Sequence, residues 1–342
     1  MPSYDAFLLV SFGGPERMED VMPFLENVLR GRSVPPERVR AVAAHYERFS
    51  GVSPINAQNR ALLEALGAEF ARRGLRLPLY WGNRNWHPLL PDTVKRMADD
   101  GVSRALAFVT SAFSSYSSCG QYLEDIAKAR EAVGERAPRI DKVRAFYNHP
   151  GFIEATTDRV RAAFEEIPAG RRAAARLVFT AHSIPLSMAA GCAYVAQLEE
   201  ACELVAGGAG RAEWELAYQS RSGAPHQPWL EPDLLDRIGA LRAAGATDVV
   251  VSPLGFVSDH MEVRYDLDLE ARGRAEELGL NLVRAGTAGS HPRFVSMVRE
   301  LVEERQREAP ERPALGTLGP VPDVCPEGCC PAGAHRPGPG PR

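Results

Sequence analysis

VFTAHSIP, residues 178–185, passes within eight residues from an apolar, β-branched run to a histidine and a turn. The run predicts a strand over residues 177–181 that delivers His182 to its carboxyl end. Seven similar runs lie near residues 7–12, 77–81, 105–110, 140–146, 215–218, 249–252 and 282–284, and stretches of helical periodicity separate them. In one of these, residues 56–73, Leu62, Leu63, Leu66 and Phe70 recur at helical spacing, and the last covers residues 294–308. This alternation predicts an α/β fold of parallel sheets covered by helices, and four strands per half predict an internally doubled fold. The turn-forming Asn148-His149-Pro150 sets the division at 1–148 and 149–308. Residues 309–342 are rich in Pro and Gly and lack apolar periodicity. They predict a tail without a core, disordered unless its cysteines anchor it.

A chain of 342 residues, 45% hydrophobic and 25% charged, has material for two packed units. A formal net charge of -4 offers no basic excess for nucleic acid or anionic lipid, so neither is an expected partner. MPSYDAFLLVSFGGPE at the start has no basic residue before its apolar run and reads as a strand, not a signal peptide. No stretch approaches the roughly 20 apolar residues that span a bilayer. A soluble, cytoplasmic monomer is the expectation. The sequence contains no G-x-S-x-G elbow, no G-x-x-x-x-G-K-[ST] loop, and no G-x-G-x-x-G after the first strand, which removes the common hydrolase and nucleotide readings. Gly207-Gly208-Ala209-Gly210 follows a helical stretch and reads as a helix stop.

In open α/β sheets ligands bind beyond the carboxyl ends of strands. The segments there are polar: Gly13-Gly14-Pro15, Gly82-Asn83-Arg84, and residues 111–122, 182–185, 219–223 and 253–262. His182 at such an end can exchange a proton near neutral pH, or can serve as a hydrogen-bonded structural histidine. The segment SPLGFVSDHMEVRYDLDLE, residues 252–270, carries Asp259, His260, Glu262, Asp266 and Glu270. Glu262, Asp266 and Glu270 stand at i, i+4, i+8 and would line one helix face. That face is either a solvated acidic surface or, beside His182, a ladder passing a divalent ion inward or protons outward. Three of the six cysteines crowd into Cys325, Cys329 and Cys330, which points to metal rather than disulfides. Cys192 and Cys202 fall in a helical stretch and read as small core residues.

SFGGPE (11–16), FSGVSPIN (49–56), TAHSIP (180–185), YQSRSG (218–223) and SPLGFVSDHMEV (252–263) together resemble the ferrochelatase family, in the right order, and the resemblance runs from about Asp5 to about Glu308. It implies two Rossmann-like halves in a chelatase-like fold, with the porphyrin in the cleft between them, and a lyase that inserts Fe2+ in haem biosynthesis. His182 and Glu262 match the residues that face the pyrrole nitrogens and contact the metal, and Asp266 and Glu270 match the proposed ion or proton path. Ser53 and Tyr122 match hydroxyl donors to propionates. At Phe12 some relatives place a tyrosine as an axial metal contact; a phenyl ring can pack on the macrocycle but cannot ligate iron. Residues 29–38 are charged where animal-type members carry an apolar lip, favouring coproporphyrin III, with four propionates, over protoporphyrin IX. The product would be Fe-coproporphyrin III (coprohaem), and transient contact with an iron donor or the next enzyme of the pathway is implied.

Some members of the family, actinobacterial ones included, hold a 2Fe-2S cluster on one internal and three tail cysteines. Here Cys119 is the internal candidate beside Cys325, Cys329 and Cys330, with a zinc site or free thiols as the other readings of the same residues. Two functions of different kinds also stay open: a porphyrin or haem carrier without chelation, and a cobalt chelatase acting on a corrin precursor.

Overall fold

A computed structural model describes residues 4–31, 34–222, 226–307, 311–326 and 328–332. The first half builds a parallel sheet from β1 (Ala6–Ser11), β2 (Leu79–Asn83), β3 (Arg104–Val109) and β4 (Arg139–Lys142). It carries the helices α1 (Met18–Leu29), α2 (Pro36–Glu47), α3 (Ile55–Arg72), α4 (Leu90–Asp99) and α5 (Gln121–Val133). The second sheet contains β5 (Arg176–His182), β6 (Glu215–Gln219), β7 (Asp248–Ser252) and β8 (Asn281–Arg284). Its helices are α6 (Pro150–Glu165), α7 (Ala169–Arg172), α8 (Leu186–Ala189), α9 (Tyr194–Gly208), α10 (Leu234–Ala243), α11 (Met261–Val263), α12 (Arg272–Glu277) and α13 (Pro292–Arg307).

The sheets have orders β2-β1-β3-β4 and β6-β5-β7-β8, so the second repeats the topology of the first. In both, the strand order reverses between the first and third strands, which opens a crevice at their carboxyl ends. The eight expected strands are all present, with shifted bounds. β2 begins at Leu79, two residues later than expected, because Pro78 has no N–H to give a ladder. β4 ends at Lys142 rather than continuing to residue 146. There the chain turns inward: Arg144 is buried and paired with Glu304 of α13, and Phe146 stacks 4.9 Å from Phe108.

One aromatic core joins the halves. Phe7 and Phe108 of the first sheet pack through Phe146 and Phe152 to Phe294 of α13, and α13 touches both α3 and α6. Arg299 of α13 lies nearly buried between Glu69 of α3, Glu300 and Glu303. Among the described residues no helix is long and apolar enough to cross a membrane.

The tail departs from expectation. Cysteines are not its only anchors, because its backbone polar groups find partners on the body. Arg144 donates to the Pro313 carbonyl at 2.8 Å, and Asn148 donates to those of Leu315 and Gly319 at 3.1 and 2.9 Å. Asp323 pairs with Arg312 at 2.6 Å. Glu308 and residues 333–342 lie outside the described residues.

Candidate active site

His182 ends β5 opposite Gln219 of β6, and two contacts fix that strand end. Tyr194 donates to the His182 carbonyl at 3.0 Å, and the Ser183 hydroxyl donates to the Leu230 carbonyl at 2.9 Å. The imidazole Nδ1 lies 2.5 Å from the Ser183 carbonyl, which can only accept, so Nδ1 carries the hydrogen. In the neutral ring the lone pair then sits on Nε2. That atom faces Glu262 Oε2 at 3.6 Å, beyond hydrogen-bond length but close enough for the carboxylate to stabilise an imidazolium. The His182 side chain is 34% exposed and that of Glu262 56%, so both can be reached from the crevice.

Glu262 lies in α11 just beyond β7, the neighbour of β5 across the strand-order reversal, and the topology itself brings the two residues together. The segment after it is not the regular α-helix of the sequence expectation. Residues Arg264–Ala271 form a π-helix, a rare wide turn often found at functional sites. Asp266 lies in the field of both Glu262 and Glu270, so the three carboxyl groups interact electrostatically through it. Burial, together with the Glu262 and Glu270 charges, raises Asp266 to about 7, although the Ser220 hydroxyl and Gln219 amide both donate to it. Glu270 is also raised, by burial and by Asp233 at the start of α10.

The other acidic groups of this segment are sequestered. Arg284 holds Asp259 through two bonds, of 3.0 and 2.9 Å, and also Asp268 at 2.7 Å. Asp268 takes a second bond from Arg264. His260 accepts from the Val263 amide and caps α11, and burial lowers its pKa. Asp259 and Asp268 are thus the carboxyls of this segment held by arginines, whereas Asp266 is held by the Ser220 hydroxyl and the Gln219 amide.

In the first half, Phe12 follows β1 and packs edge-on to Phe24. Ser53 is buried against Gly14, where a Cβ on the glycine would lie 2.7 Å from the serine Oγ. Tyr122 is buried too, with the Arg84 guanidinium 4.6 Å from its ring centre and 5.7 Å from that of Phe12. Arg84, paired with Asp125 at 2.5 Å, is the cation at this wall; its place in the polar strand-end segment 82–84 was its only sequence signal. Sequence reasoning also missed His45 of α2, which stacks on Tyr265 of the π-helix with centroids 3.6 Å apart and lies in the field of Glu262. About two hundred residues separate them, and no local pattern joins them. Gln219 and Ser220 were missed as partners of Asp266, although YQSRSG stood among the polar segments. Ser220 has φ +61, a left-handed backbone unusual for a side chain other than glycine.

Cys119 is buried in a second π-helix, Tyr116–Gly120, whose start Ser115 and Ser118 cap reciprocally. Its thiol interacts with that of Cys325, which together with burial raises Cys119 and which lowers Cys325. Cys330 Sγ lies 3.9 Å from Cys329 Sγ and is pushed up to about 12 by burial and the nearby thiols of Cys329, Cys119 and Cys192. The four cysteines are neighbours pair by pair, and among the described residues no group of three or more His, Cys, Asp or Glu stands close enough to hold a metal ion as placed. Cys202 is core, as expected. Cys192 lies at the core's edge: half-buried in the turn before α9 and packed against the core, it donates to the Met188 carbonyl and faces Cys330.

Two doubled sheets, with an imidazole and a carboxylate ladder where the second reverses its strand order, define a protein of the chelatase fold. The solved structure of the sirohydrochlorin chelatase SirB from Bacillus subtilis subspecies spizizenii, in complex with cobalt, shares it, with a TM-score of 0.55 at 13% identity over 90% of this chain and 98% of that one. A family model described as Ferrochelatase matches residues 4–306. A ferrochelatase of Rhodopirellula baltica is 56% identical, covering 98% of this chain and 96% of its own. The coproporphyrin III ferrochelatase of Streptomyces griseus is 52% identical, covering 98% and 95%. This chain belongs to the ferrochelatase family, enzymes of metal insertion.

Proposed function

We propose that this chain inserts Fe2+ into coproporphyrin III to give coprohaem, with His182 and Glu262 receiving the pyrrole protons. The observation that carries the chemistry is the 3.6 Å approach of His182 Nε2 to Glu262 Oε2 at the strand-order reversal. The substrate follows relatives about half identical over nearly the whole chain, among them coproporphyrin III ferrochelatases of Streptomyces griseus and Streptomyces coelicolor. Insertion releases two pyrrole protons as the metal enters. The bare Nε2 takes one and becomes an imidazolium beside Glu262. Glu262 takes the other, and Asp266, buried and near neutrality, passes protons on towards Glu270. Bending of the macrocycle in the cleft would expose its nitrogens to the ion and lower the barrier. Phe12 packs against the ring, and Ser53 and Tyr122, the latter beside the Arg84 cation, address the propionates. Anaerobic Fe2+ insertion into coproporphyrin III and protoporphyrin IX, run in parallel, tests this: the account requires faster turnover of coproporphyrin III.

A 2Fe-2S cluster on Cys119, Cys325, Cys329 and Cys330 is a companion proposal. Four thiols match the four ligands such a cluster takes, and Cys119 interacts with Cys325 while Cys329 and Cys330 are neighbours. The cluster would supply a redox- or iron-sensitive group, since insertion itself transfers no electrons. Equal iron and acid-labile sulfide in anaerobically purified protein is the expected result; colourless protein containing zinc would refute it. Action as a cytoplasmic monomer completes the proposal.

A further inference from the structure

α9 touches three separate parts of the molecule with three side chains spaced one helical step apart. Tyr194 bonds the strand end that carries His182. Gln197, 5% exposed, grips the loop that leads into Cys119: its Oε1 accepts from the Ser114 amide at 2.7 Å, and its Nε2 donates to the Ser114 hydroxyl at 3.0 Å. Glu200 grips the tail, its Oε1 accepting from the Thr317 amide at 2.5 Å, the Thr317 hydroxyl at 3.2 Å and the Leu318 amide at 2.9 Å. Its Oε2 accepts from Tyr147 at 3.0 Å, which fixes the carboxylate from the body side.

The grip depends on the shape of the tail. Gly316 has φ +76, and this left-handed turn aims two successive amides at one oxygen. A Cβ at Gly316 would overlap the Glu200 carboxylate, so only glycine permits the approach. Further on, the tail passes between the two body segments that hold Cys119 and Cys192. An added Cβ at Gly191 would lie 2.7 Å from the Pro331 ring, and one at Gly120 would lie 3.5 Å from the Cys330 carbonyl. No sulfur takes part in the contacts of Arg144, Asn148, Gln197 or Glu200 described here, so the thiols do not have to bind anything for these contacts to form.

We propose that Gln197 and Glu200 are positioning residues for the thiol site: one helix holds both the Cys119 loop and the strap of residues 311–326, and so brings the tail thiols to Cys119. The proposal rests on reading the four cysteines as one ligand set, but it concerns how the protein assembles them. The strap is then a built part of the site, and Glu200 rather than a bound metal selects its path.

The test uses the reduced, chelator-treated full chain and dibromobimane, which bridges neighbouring thiols, with the bridged peptides mapped by mass. Wild type is expected to give a Cys119-to-tail bridge. Glu200→Ala and Gln197→Ala should lower its yield about tenfold or more, since bonds to a charged or buried anchor are lost. Gly316→Ala lies outside the body's core and should do the same through overlap with Glu200, with the thermal unfolding of the body unchanged. Variants that bridge as well as wild type, or a wild type that forms no such bridge, would overturn the proposal. Iron and sulfide measured on the same proteins, purified anaerobically and before any chelator treatment, judge the cluster separately: Glu200-dependent bridging in protein that is purified without iron removes the cluster and leaves the positioning role standing.

Discussion

His182 ends β5 and Glu262 lies in α11, the helix that follows the neighbouring parallel strand β7; eighty residues apart in sequence, they meet with Nε2 and Oε2 3.6 Å apart. The Ser183 carbonyl fixes the imidazole tautomer, so the lone pair points to the carboxylate and the open crevice. Glu262→Gln keeps the shape and removes the charge. It is expected to lower iron insertion by about 100-fold or more while coproporphyrin binding changes little, the signature of a lost proton acceptor. Comparison of the porphyrin dissociation constant with turnover checks this; an equal loss in both would assign Glu262 to binding.

Asp266 makes stability depend on pH in a direction opposite to most carboxylates. Its folded-state pKa of about 7 stands above its ordinary 3.8, so the folded protein keeps a proton that the unfolded chain gives up. Its favourable contribution is complete below about pH 4 and is lost as pH rises through 7. Asp266→Asn should therefore stabilise the protein progressively over that interval, by up to about 4 kcal/mol at pH 7 and above, while reducing activity. Urea unfolding of both proteins at pH 5 and pH 8 measures it, and an equal difference at the two pH values would exclude the buried proton.

Ser220 donates a short hydrogen bond to Asp266 that favours the ionised form. Ser220→Ala should raise Asp266 further and move the acidic limb of the activity profile to higher pH, with the alkaline limb unchanged. A profile of unaltered shape would remove Asp266 from the proton route.

Arg299 is the central cation between α3 and α13, nearly buried and bonded to Glu69, Glu300 and Glu303. Arg299→Met would leave Glu69, itself 8% exposed, without its partner on the core side. A loss of about 3–5 kcal/mol is expected in urea unfolding. A loss below about 1 kcal/mol would mean that Arg72 and Arg73, which also pair with Glu69, suffice.

The sheet-building half of the structure was legible because apolar strand runs and helical periodicity are local signals. So was His182, since a strand end is where such folds place chemistry. What escaped was set by contacts between distant segments. Nothing near Asp259 shows that Arg284 would neutralise it, yet that pairing separates the structural acids from Glu262, Asp266 and Glu270. The π-helix escaped because its spacing of acids fits an α-helix equally well. The tail's Pro and Gly content signals no core, and none of its described residues is buried, but its anchorage depends on single body residues, Arg144, Asn148 and Glu200, over one hundred positions earlier. Cys192 packs against the core as read but lies in the turn before Tyr194 rather than in a helix, because helical periodicity overran that turn.

The measurement closest to the central claim is anaerobic, single-turnover insertion of Fe2+ into coproporphyrin III by wild type and by His182→Ala, followed by absorbance. The account predicts coprohaem formation by wild type, and binding of coproporphyrin III without metallation by His182→Ala. Metallation by His182→Ala at the wild-type rate would contradict it.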